Sequence, residues 1–420
     1  MSTASTALPG RLRSPKFPNY PFNLTRQSRR ISCRLSLNRT DENPPISSPH
    51  HDPLRIVLAA GGTGGHIYVA IAMADELRIA SPSVQCVFLG TASGMESEAV
   101  PTAGHEFRPI VLSPENLLLF PFNLLRSIAV ALKTLRDVGP RVVVGTGGYV
   151  SLPVCLAAAV LGVRVVIQEQ NSTPGIANRV LSILASKVFV AFPSCSRFFP
   201  KEKCFVTGNP VRASLLKYTS KAVAKSHFFP GRKVGEGGKV VLVLGGSTGA
   251  CAINIAMLNL YRQMLEDHKE MFLIWQTGYD GFDEMESLVK NHRRVVLTQF
   301  LHTMDLAYAA ADLVVSRAGA TTCTEILVTG KPSILIPAHY VVDIHQARNA
   351  NIMAEIAGSK VLTEDELDSI TLRSAIEEIL GDERLMAEMS EKALKSALPD
   401  ASAQIARHIL SLALLPVTKQ

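Results

Sequence analysis

The chain has 420 residues, of which 47% are hydrophobic, so it can bury a sizeable core and is expected to form two domains of ordinary size. Its net charge of +7 originates in the first 40 residues, which hold eight basic residues and no acidic one. The rest of the chain carries 35 basic and 36 acidic residues, which gives no reason to expect a nucleic-acid partner. The seven cysteines are scattered without a C-x-x-C pair, which disfavours a zinc site and predicts reduced thiols.

The leader is rich in Ser, Arg and Pro, a composition typical of an organelle transit peptide. We therefore predict a disordered transit peptide and linker over residues 1–52, and the many Ser and Thr residues at the start favour the chloroplast over the mitochondrion. The alternative is an ordinary disordered tail. Order is expected to begin near Leu54.

Beyond the leader, apolar strands alternate with amphipathic helices, which predicts parallel sheets covered on both faces. Strands are predicted near 55–60, 85–90, 142–145, 163–168, 187–191 and 204–207, and then near 240–244, 271–276, 294–298, 312–316 and 333–337. A polar stretch over 217–239 separates the two series and reads as a hinge. The fold class is therefore α/β, with two Rossmann-like, doubly wound domains over 53–216 and 240–398 and a ligand cleft between them.

Three predicted strands run directly into clusters of glycines, at 61–65, 145–148 and 245–249. Glycine permits positive φ and a close backbone approach, and the helix N-terminus that follows favours anions. Such turns suit phosphates and crowded sugars. Neither domain opens with G-x-G-x-x-G, strand 85–90 ends without an acidic residue, and G-x-x-x-x-G-K-[ST] is absent, so dinucleotide and P-loop nucleotide binding are disfavoured.

His66 follows the first glycine cluster and is expected at the mouth of the cleft. A neutral imidazole there could accept a proton from an attacking sugar hydroxyl, and an unperturbed histidine would lose this ability on acidification through about pH 6–7. The alternative is a histidine that caps the following helix.

Two further segments offer anion and hydroxyl ligands. Arg212, at the end of the first series, could meet a diphosphate or could be an ordinary surface arginine. In the second series Glu325 could accept both hydroxyls of a ribose, but Thr322-x-x-Glu325 is also a capping box. Spacing alone leaves both pairs of alternatives open.

Polar residues also end two other strands. Asn171 and Gln346 could hydrogen-bond sugar hydroxyls from opposite walls of the cleft, or could only cap helices. Asp-x-Asp is absent, so no metal-bridged diphosphate is indicated, and no cofactor is predicted. Helix N-termini, hydroxyls and Arg212 would instead neutralise a leaving diphosphate.

The segment Leu117–Leu125 is apolar and is followed by Arg126, Lys133 and Arg136. An apolar knob flanked by cations can dip into an anionic bilayer surface, although buried core is the commoner role of such leucines. No predicted element is apolar and long enough to span a membrane.

Six motifs in order resemble the MurG family of glycosyltransferases, over nearly all of residues 55 to 410. They are G-G-T-G-G-H at 61–66, G-T-G-G-Y-V-S-x-P at 145–153, E-Q-N-x-x-P-G at 169–175, G-N-P-V-R at 208–212, G-G-S-x-G-A at 245–250 and R-A-G-A-x-T-x-x-E at 317–325. The resemblance implies the two-domain GT-B fold, with a C-terminal helix in 399–420 that returns to the first domain. It also implies transfer of N-acetylglucosamine from its UDP donor to a lipid-linked muramyl-pentapeptide at a membrane surface, which in a plastid would be the inner membrane.

The resemblance places the donor-binding residues on both sides of the cleft and His66 at the position of the general base. The implied donor-binding residues are Thr63, Gly64, Gly65, Asn171, Arg212, Ser247, Leu301, Ala320, Thr321, Thr322, Cys323, Thr324, Glu325 and Gln346.

Three departures from the family pattern are Val69 in place of a proline and Thr248 and His345 in place of glutamines. Thr248 is expected nearest the diphosphate and the donor sugar, so it puts donor identity or rate in doubt. The alternatives to the MurG-like activity are a plastid galactolipid synthase, a UDP-N-acetylglucosamine 2-epimerase and a non-catalytic protein of plastid division.

Overall fold

The computed structural model describes residues 53–110, 120–231, 237–289, 292–339 and 344–416. The leader over 1–52 and residues Leu117–Leu119 of the apolar segment lie outside the described residues.

The first half of the chain forms a seven-stranded parallel sheet. Its strands are β1 Arg55–Ala59, β2 Gln85–Gly90, β3 Glu106–Pro109, β4 Val142–Gly145, β5 Arg164–Glu169, β6 Lys187–Val190 and β7 Cys204–Val206. Their spatial order is β3-β2-β1-β4-β5-β6-β7. The helices around this sheet are α1 Gly64–Ala80, α2 Glu96–Thr102, α3 Phe120–Val138, α4 Gly148–Val160, α5 Ile176–Leu181 and the 3-10 helix Pro193–Phe198.

Both faces of this sheet are buried, as the continuous apolar strands predict. In β1, Ile56 and Leu58 belong to the core shared with α1, whereas Val57 and Ala59 belong to the core shared with α3 and α4. Alternate residues of the strand therefore belong to two separate cores, one on each face of the sheet.

The second half forms a six-stranded parallel sheet in the order β10-β9-β8-β11-β12-β13. Its strands are β8 Lys239–Leu244, β9 Met271–Gln276, β10 Val295–Thr298, β11 Leu313–Ser316, β12 Ser333–Leu335 and β13 Lys360–Val361. The helices are the 3-10 helix Ala213–Leu216, α6 Lys221–Phe228, α7 Cys251–Asp267, α8 Phe282–Val289, α9 Met304–Ala310, α10 Ala320–Thr329, α11 Ile344–Ala357, α12 Ser369–Gly381, α13 Glu383–Ser396 and α14 Ala401–Leu414. The two predicted doubly wound units are thus confirmed.

The segment predicted as a hinge, 217–239, contains a helix that sequence reasoning missed. Helix α6 buries Ala224 in the core of the second sheet, and Val211 and Leu215 belong to the same core. The second domain therefore begins near Val211, earlier than predicted. The cause is that α6 is short and half of its residues are Lys, Ser or His, so its composition resembles that of a linker.

Helix α14, at the end of the described chain, packs on the first domain. Its buried residues Ile405, Ile409 and Leu412 share a core with Ile67 and Met73 of α1. The last helix therefore completes the hydrophobic core of the first domain after the chain has passed through the second.

The strand registers place the loops of the site side by side. Ala59 pairs with Gly145, so the first and second glycine turns leave adjacent strands at the same level. Leu244 pairs with Ser316, so the third glycine turn lies beside the segment that leads into α10. In each sheet these neighbours flank the point where the strand order reverses, which is where open α/β sheets bind ligands.

Candidate active site

The first two glycine turns enclose His66. Gly147 has φ of +99° and Gly148 has φ of +74°, and a Cβ atom on Gly147 would lie 3.1 Å from Nε2 of His66. Only glycine both adopts this backbone conformation readily and leaves room for the imidazole. The second glycine turn thus forms the wall against which His66 packs.

His66 is held by the residue that begins its own helix. Thr63 is the N-cap of α1, but its Oγ1 lies 3.0 Å from Nδ1 of His66 and makes no cap hydrogen bond to the backbone. The alternative that His66 caps this helix is therefore wrong, because His66 lies inside α1. Both ring nitrogens lie at the junction of the two glycine turns.

Burial lowers the pKa of His66 to about 4, and a hydrogen bond with the carbonyl of Gly61 opposes this shift. The expectation of an unperturbed histidine that titrates at pH 6–7 is therefore wrong. The imidazole is neutral at pH 7, which is the form that can accept a proton.

On the second domain, Glu325 is buried and bonded to two other elements. Tyr308 Oη donates to its Oε2 at 3.1 Å, and Arg212 Nη2 donates to its Oε1 at 3.5 Å. The N-cap of α10 is Gly319, so Thr322 and Glu325 lie inside the helix and the capping-box alternative is wrong. Burial raises the pKa of Glu325, and the charge of Arg212 opposes this effect.

Arg212 is not a surface arginine. Its guanidinium lies 5.0 Å from the ring centroid of Tyr68, on the first domain, and its Nε is buried without a hydrogen-bond partner among the described residues. A buried, unpaired donor beside a cavity is suited to an anionic ligand.

These groups line one cavity of about 580 Å³ between the two sheets. The predicted site residues that line it are Thr63, Gly64, Gly65, His66, Asn171, Arg212, Ser247, Ala320, Thr321, Thr322, Glu325 and Gln346. Ala320, Thr321 and Thr322 of the first turn of α10 line this space, and the first N–H groups of a helix have no partner within the helix.

Three predicted site residues have side chains that face the protein interior instead. Leu301 and Cys323 belong to a core of the second domain, and Thr324 Oγ1 donates to the Ala320 carbonyl at 2.9 Å. The backbone N–H of Leu301 is also taken, by Gln276 Oε1 at 2.9 Å. The side chains of these three residues therefore pack behind the cavity wall and do not line the cavity.

Sequence reasoning missed a stack of three aromatic rings, of which Tyr68 and Phe300 line the cavity. The ring of Phe300 stacks on Tyr68, with centroids 6.1 Å apart and planes 17° apart, and on Tyr279 at 5.9 Å and 17°. Phe300 follows the end of a strand, a position that could have marked it. Of the three departures, Thr248 and His345 line the cavity, whereas Val69 is fully buried in the core of the first domain.

Buried hydrogen bonds join the domains beside the cavity. Asn209 accepts from Gln168 Nε2 at 2.8 Å and donates to Thr324 Oγ1 at 3.1 Å. Asn349 of α11 accepts from the backbone N–H of Ser172 at 3.3 Å. These contacts fix the spacing of the two walls.

Two Rossmann-like domains with one cavity between them, lined by the neutral His66 and by the N-terminus of α10, have the architecture of the GT-B glycosyltransferases. Residues 56–190 match the glycosyltransferase family 28 N-terminal domain, and residues 240–405 match the glycosyltransferase family 28 C-terminal domain. With the relatives described next, these matches show that the chain belongs to glycosyltransferase family 28, in the MurG group.

Curated relatives match the chain over most of their length. The UDP-N-acetylglucosamine–N-acetylmuramyl-(pentapeptide) pyrophosphoryl-undecaprenol N-acetylglucosamine transferase of Salinibacter ruber is 40% identical over 365 residues, which are 85% of this chain and 96% of the relative. The protein of the same name from Christiangramia forsetii is 39% identical and covers 86% of this chain and 98% of its own length.

Solved structures give the same result for the fold. The crystal structure of Acinetobacter baumannii MurG superposes with a TM-score of 0.64 at 28% identity, covering 86% of this chain and 100% of that chain. The S. aureus MnaA–UDP co-structure has a TM-score of 0.64 at 17% identity, covering 87% and 99%, and shows the shared fold alone.

Proposed function

We propose that this glycosyltransferase transfers N-acetylglucosamine from UDP-N-acetylglucosamine to the 4-hydroxyl of an N-acetylmuramyl-pentapeptide linked through diphosphate to a polyprenyl lipid. The observation that carries the proposal is that His66 from one domain and the Arg212–Glu325 pair line the same cavity. The printed names of the curated relatives describe this donor and this class of acceptor.

The second domain binds the nucleotide part of the donor. Glu325 accepts hydrogen bonds from the ribose hydroxyls, in place of those from Tyr308 and Arg212. Arg212, released from this weak 3.5 Å ion pair, turns its guanidinium to the diphosphate. The N–H groups at the start of α10 neutralise the same diphosphate as it leaves.

The first domain activates the acceptor. His66 accepts the proton of the 4-hydroxyl while the hydroxyl oxygen forms a bond to the anomeric carbon, and the bond from that carbon to the diphosphate oxygen breaks. The electron pair of the broken bond leaves with UDP. One displacement from the face opposite the diphosphate inverts the anomeric configuration, and the unprotonated state of His66 at pH 7 suits this role.

A matrix of donors and acceptors tests the proposal. The chain is incubated with UDP-N-acetylglucosamine or UDP-galactose, each with the lipid-linked muramyl-pentapeptide, with diacylglycerol or alone, and products are identified by mass spectrometry. We expect a disaccharide product from the first donor and the muramyl lipid only. A galactolipid, or epimerised UDP-sugar without acceptor, would establish one of the rival activities, and no product in any arm would support the non-catalytic alternative.

We also propose that the enzyme attaches peripherally to a membrane through residues 117–125 and α3. No helix in the described residues is long and apolar enough to cross a membrane. The side chains of Phe122 and Leu125 are 66% and 67% exposed, and the basic Arg126 is exposed beside them. Such a surface suits an anionic bilayer.

Sedimentation with vesicles that contain anionic lipid tests the attachment. The double variant Phe122→Ser/Leu125→Ser should lose most of its binding, whereas Ile370→Ser, which replaces a 76% exposed side chain on the second domain, should retain it. Equal binding by both variants would refute the proposal that this surface attaches the protein to the membrane.

We further propose a chloroplast location, on the inner membrane, directed by residues 1–52. The support is the acid-free, Ser- and Arg-rich composition of this segment. A reporter fused to it should enter plastids, and a fusion that remains in the cytosol would refute the assignment.

A further inference from the structure

Tyr68, in the second turn of α1, is a first-domain side chain that contacts the second domain. Its ring lines the cavity between the two sheets. The guanidinium of Arg212 lies 5.0 Å from the ring centroid, and the ring of Phe300 stacks on it at 6.1 Å. The ring also packs on the first glycine turn, because a Cβ atom on Gly64 would lie 3.6 Å from its Cδ2 and Cε2 atoms. Tyr68 therefore makes one contact within its own domain and two with the other domain.

Arg212 has few other contacts that could fix its guanidinium. Its Nη2 donates to Glu325 at 3.5 Å, which is the long limit of a hydrogen bond, and its Nε has no hydrogen-bond partner among the described residues. Holding a long side chain in one place costs rotamer entropy. The face of an aromatic ring attracts a guanidinium without using any of its N–H groups. Tyr68 can therefore hold Arg212 and leave its donors available to an anionic ligand.

The helix that carries the proposed base also carries this support. His66 and Tyr68 are two residues apart in α1, so their side chains leave the helix on different faces. His66 packs against the second glycine turn, whereas Tyr68 contacts Arg212. The first domain thus contacts, through one helix, a cation of the second domain.

We infer that Tyr68 is a positioning residue, which holds the guanidinium of Arg212 where it meets the diphosphate of the donor. This inference rests on the proposed function, in which Arg212 leaves Glu325 and turns to the diphosphate. The ring of Tyr68 keeps the guanidinium at the cavity wall during this movement. The hydroxyl of Tyr68 has no part in this role, since the attraction comes from the face of the ring.

The stack with Phe300 offers a competing explanation for any effect of Tyr68, and Tyr279 provides the control for it. Tyr279 also stacks on Phe300, with centroids 5.9 Å apart. Its side chain is 43% exposed and does not belong to the described residues that line the cavity. Tyr279→Leu therefore disturbs the stack and leaves the contact between Tyr68 and Arg212 in place.

Binding of UDP and of uridine to the full chain, measured by calorimetry and by NMR titration, tests the inference. Uridine lacks the diphosphate, so it offers a ribose to Glu325 and nothing to Arg212. We expect Tyr68→Leu to weaken UDP about 5- to 20-fold, the value of a partly buried cation–π contact, and to change the Kd of uridine less than about twofold. Tyr68→Phe, which keeps the ring, and Tyr279→Leu should bind UDP as the unmutated chain does. Uridine binding also shows that each variant is folded.

A double-mutant cycle tests whether Tyr68 acts through Arg212. If it does, adding Tyr68→Leu to Arg212→Ala should weaken UDP less than about twofold further. Losses that multiply in the double variant would overturn the inference, and so would an unchanged UDP affinity in Tyr68→Leu. Equal weakening of uridine and UDP would overturn it as well, because Tyr68 would then only shape the cavity.

The inference and the proposed function fail in distinguishable ways. If the unmutated chain binds UDP no more tightly than uridine, the proposed role of Arg212 at the diphosphate fails, and the inference fails with it. If the unmutated chain binds UDP more tightly and transfers the sugar, but Tyr68→Phe loses as much UDP affinity as Tyr68→Leu, then the hydroxyl is responsible and the inference alone fails.

Discussion

Thr63 and His66 are joined by a contact of 3.0 Å between Oγ1 and Nδ1. A neutral imidazole carries one proton, so if Nδ1–H donates to Thr63, Nε2 keeps the lone pair that a general base needs. The hydroxyl of Thr63, which can donate or accept, orients the ring of His66, whereas the carbonyl of Gly61 can only accept a hydrogen bond from a ring N–H.

Removing the hydroxyl of Thr63 should therefore slow the chemical step. We expect Thr63→Val to lower kcat by about 10-fold through a misoriented base, with little change in the affinity for UDP. Thr63→Ser keeps the hydroxyl and should restore most of the rate. Steady-state kinetics and calorimetry separate the two quantities, and a Thr63→Val protein with normal kcat would show that the contact is incidental.

His66→Ala should lower kcat by about 10²- to 10⁴-fold, the usual contribution of a positioned base. The affinity for UDP-N-acetylglucosamine should remain nearly intact, because the imidazole packs against the glycine turns of the first domain. If affinity falls in proportion to rate, His66 is a donor ligand and the base lies elsewhere.

The pH dependence follows from the depressed pKa of His66, about 4 in the folded chain. We expect kcat/KM to stay level from pH 8 to about 6 and to fall as the pH approaches 4, where the imidazole gains its proton. Folding is affected in the same range. The unfolded state, with an ordinary pKa near 6.5, binds more protons, so the stabilisation from a neutral His66 is complete above that value and is lost as the pH falls towards 4.

These two consequences of the depressed pKa are measured by pH–rate profiles and by urea titrations at several pH values. His66→Gln provides the control. It should abolish the part of the change in the free energy of unfolding between pH 6.5 and 4 that comes from His66. If kcat/KM of the unmutated chain already falls between pH 7 and 6, and no other step of the reaction accounts for this fall, then His66 is not buried as described.

Glu325→Ala should weaken UDP binding by about 1–3 kcal/mol, the value of a charge-assisted hydrogen bond. Tyr308→Phe is the matched control, because it removes the 3.1 Å hydrogen bond to the same carboxylate but leaves the carboxylate in place. Calorimetry with UDP should show the large loss in the first variant only. Comparable losses in both would mean that the carboxylate matters for packing and not for the ribose.

Asn209→Ala should destabilise the contact between the domains. The side chain is fully buried and bonds to Gln168, to the carbonyl of Gln170 and to Thr324. Leaving these partners unpaired should cost about 2–4 kcal/mol in the free energy of unfolding, measured by urea titration. Asn351→Ala, at an exposed position of α11, should have almost no effect.

The sequence predicted the architecture well because the central strands are apolar and bounded by glycines. It missed β3 and β13, which lie at the two sheet edges, and which are partly exposed and lack an apolar run. The other two edge strands, β7 and β10, carry short apolar runs and were predicted, so the missing apolar run explains the difference.

The roles within the site were harder to predict than the fold. Spacing could not separate a capping box from a ribose ligand at Glu325, because spacing does not show that α10 begins after Gly319. The depressed pKa of His66 was equally invisible, since burial is a property of the assembled turns. Phe300 was missed because its position after a strand end does not reveal that its ring stacks on Tyr68 of the first domain.

Helix α14 has a consequence for synthesis on the ribosome. The first domain emerges early, but Ile405, Ile409 and Leu412, which cover α1, are made last. Until they leave the exit tunnel, the apolar face of α1 has no cover, and a nascent chain that already carries His66 still exposes an apolar surface. Chaperone binding to ribosome-bound chains should therefore persist until α14 has left the exit tunnel.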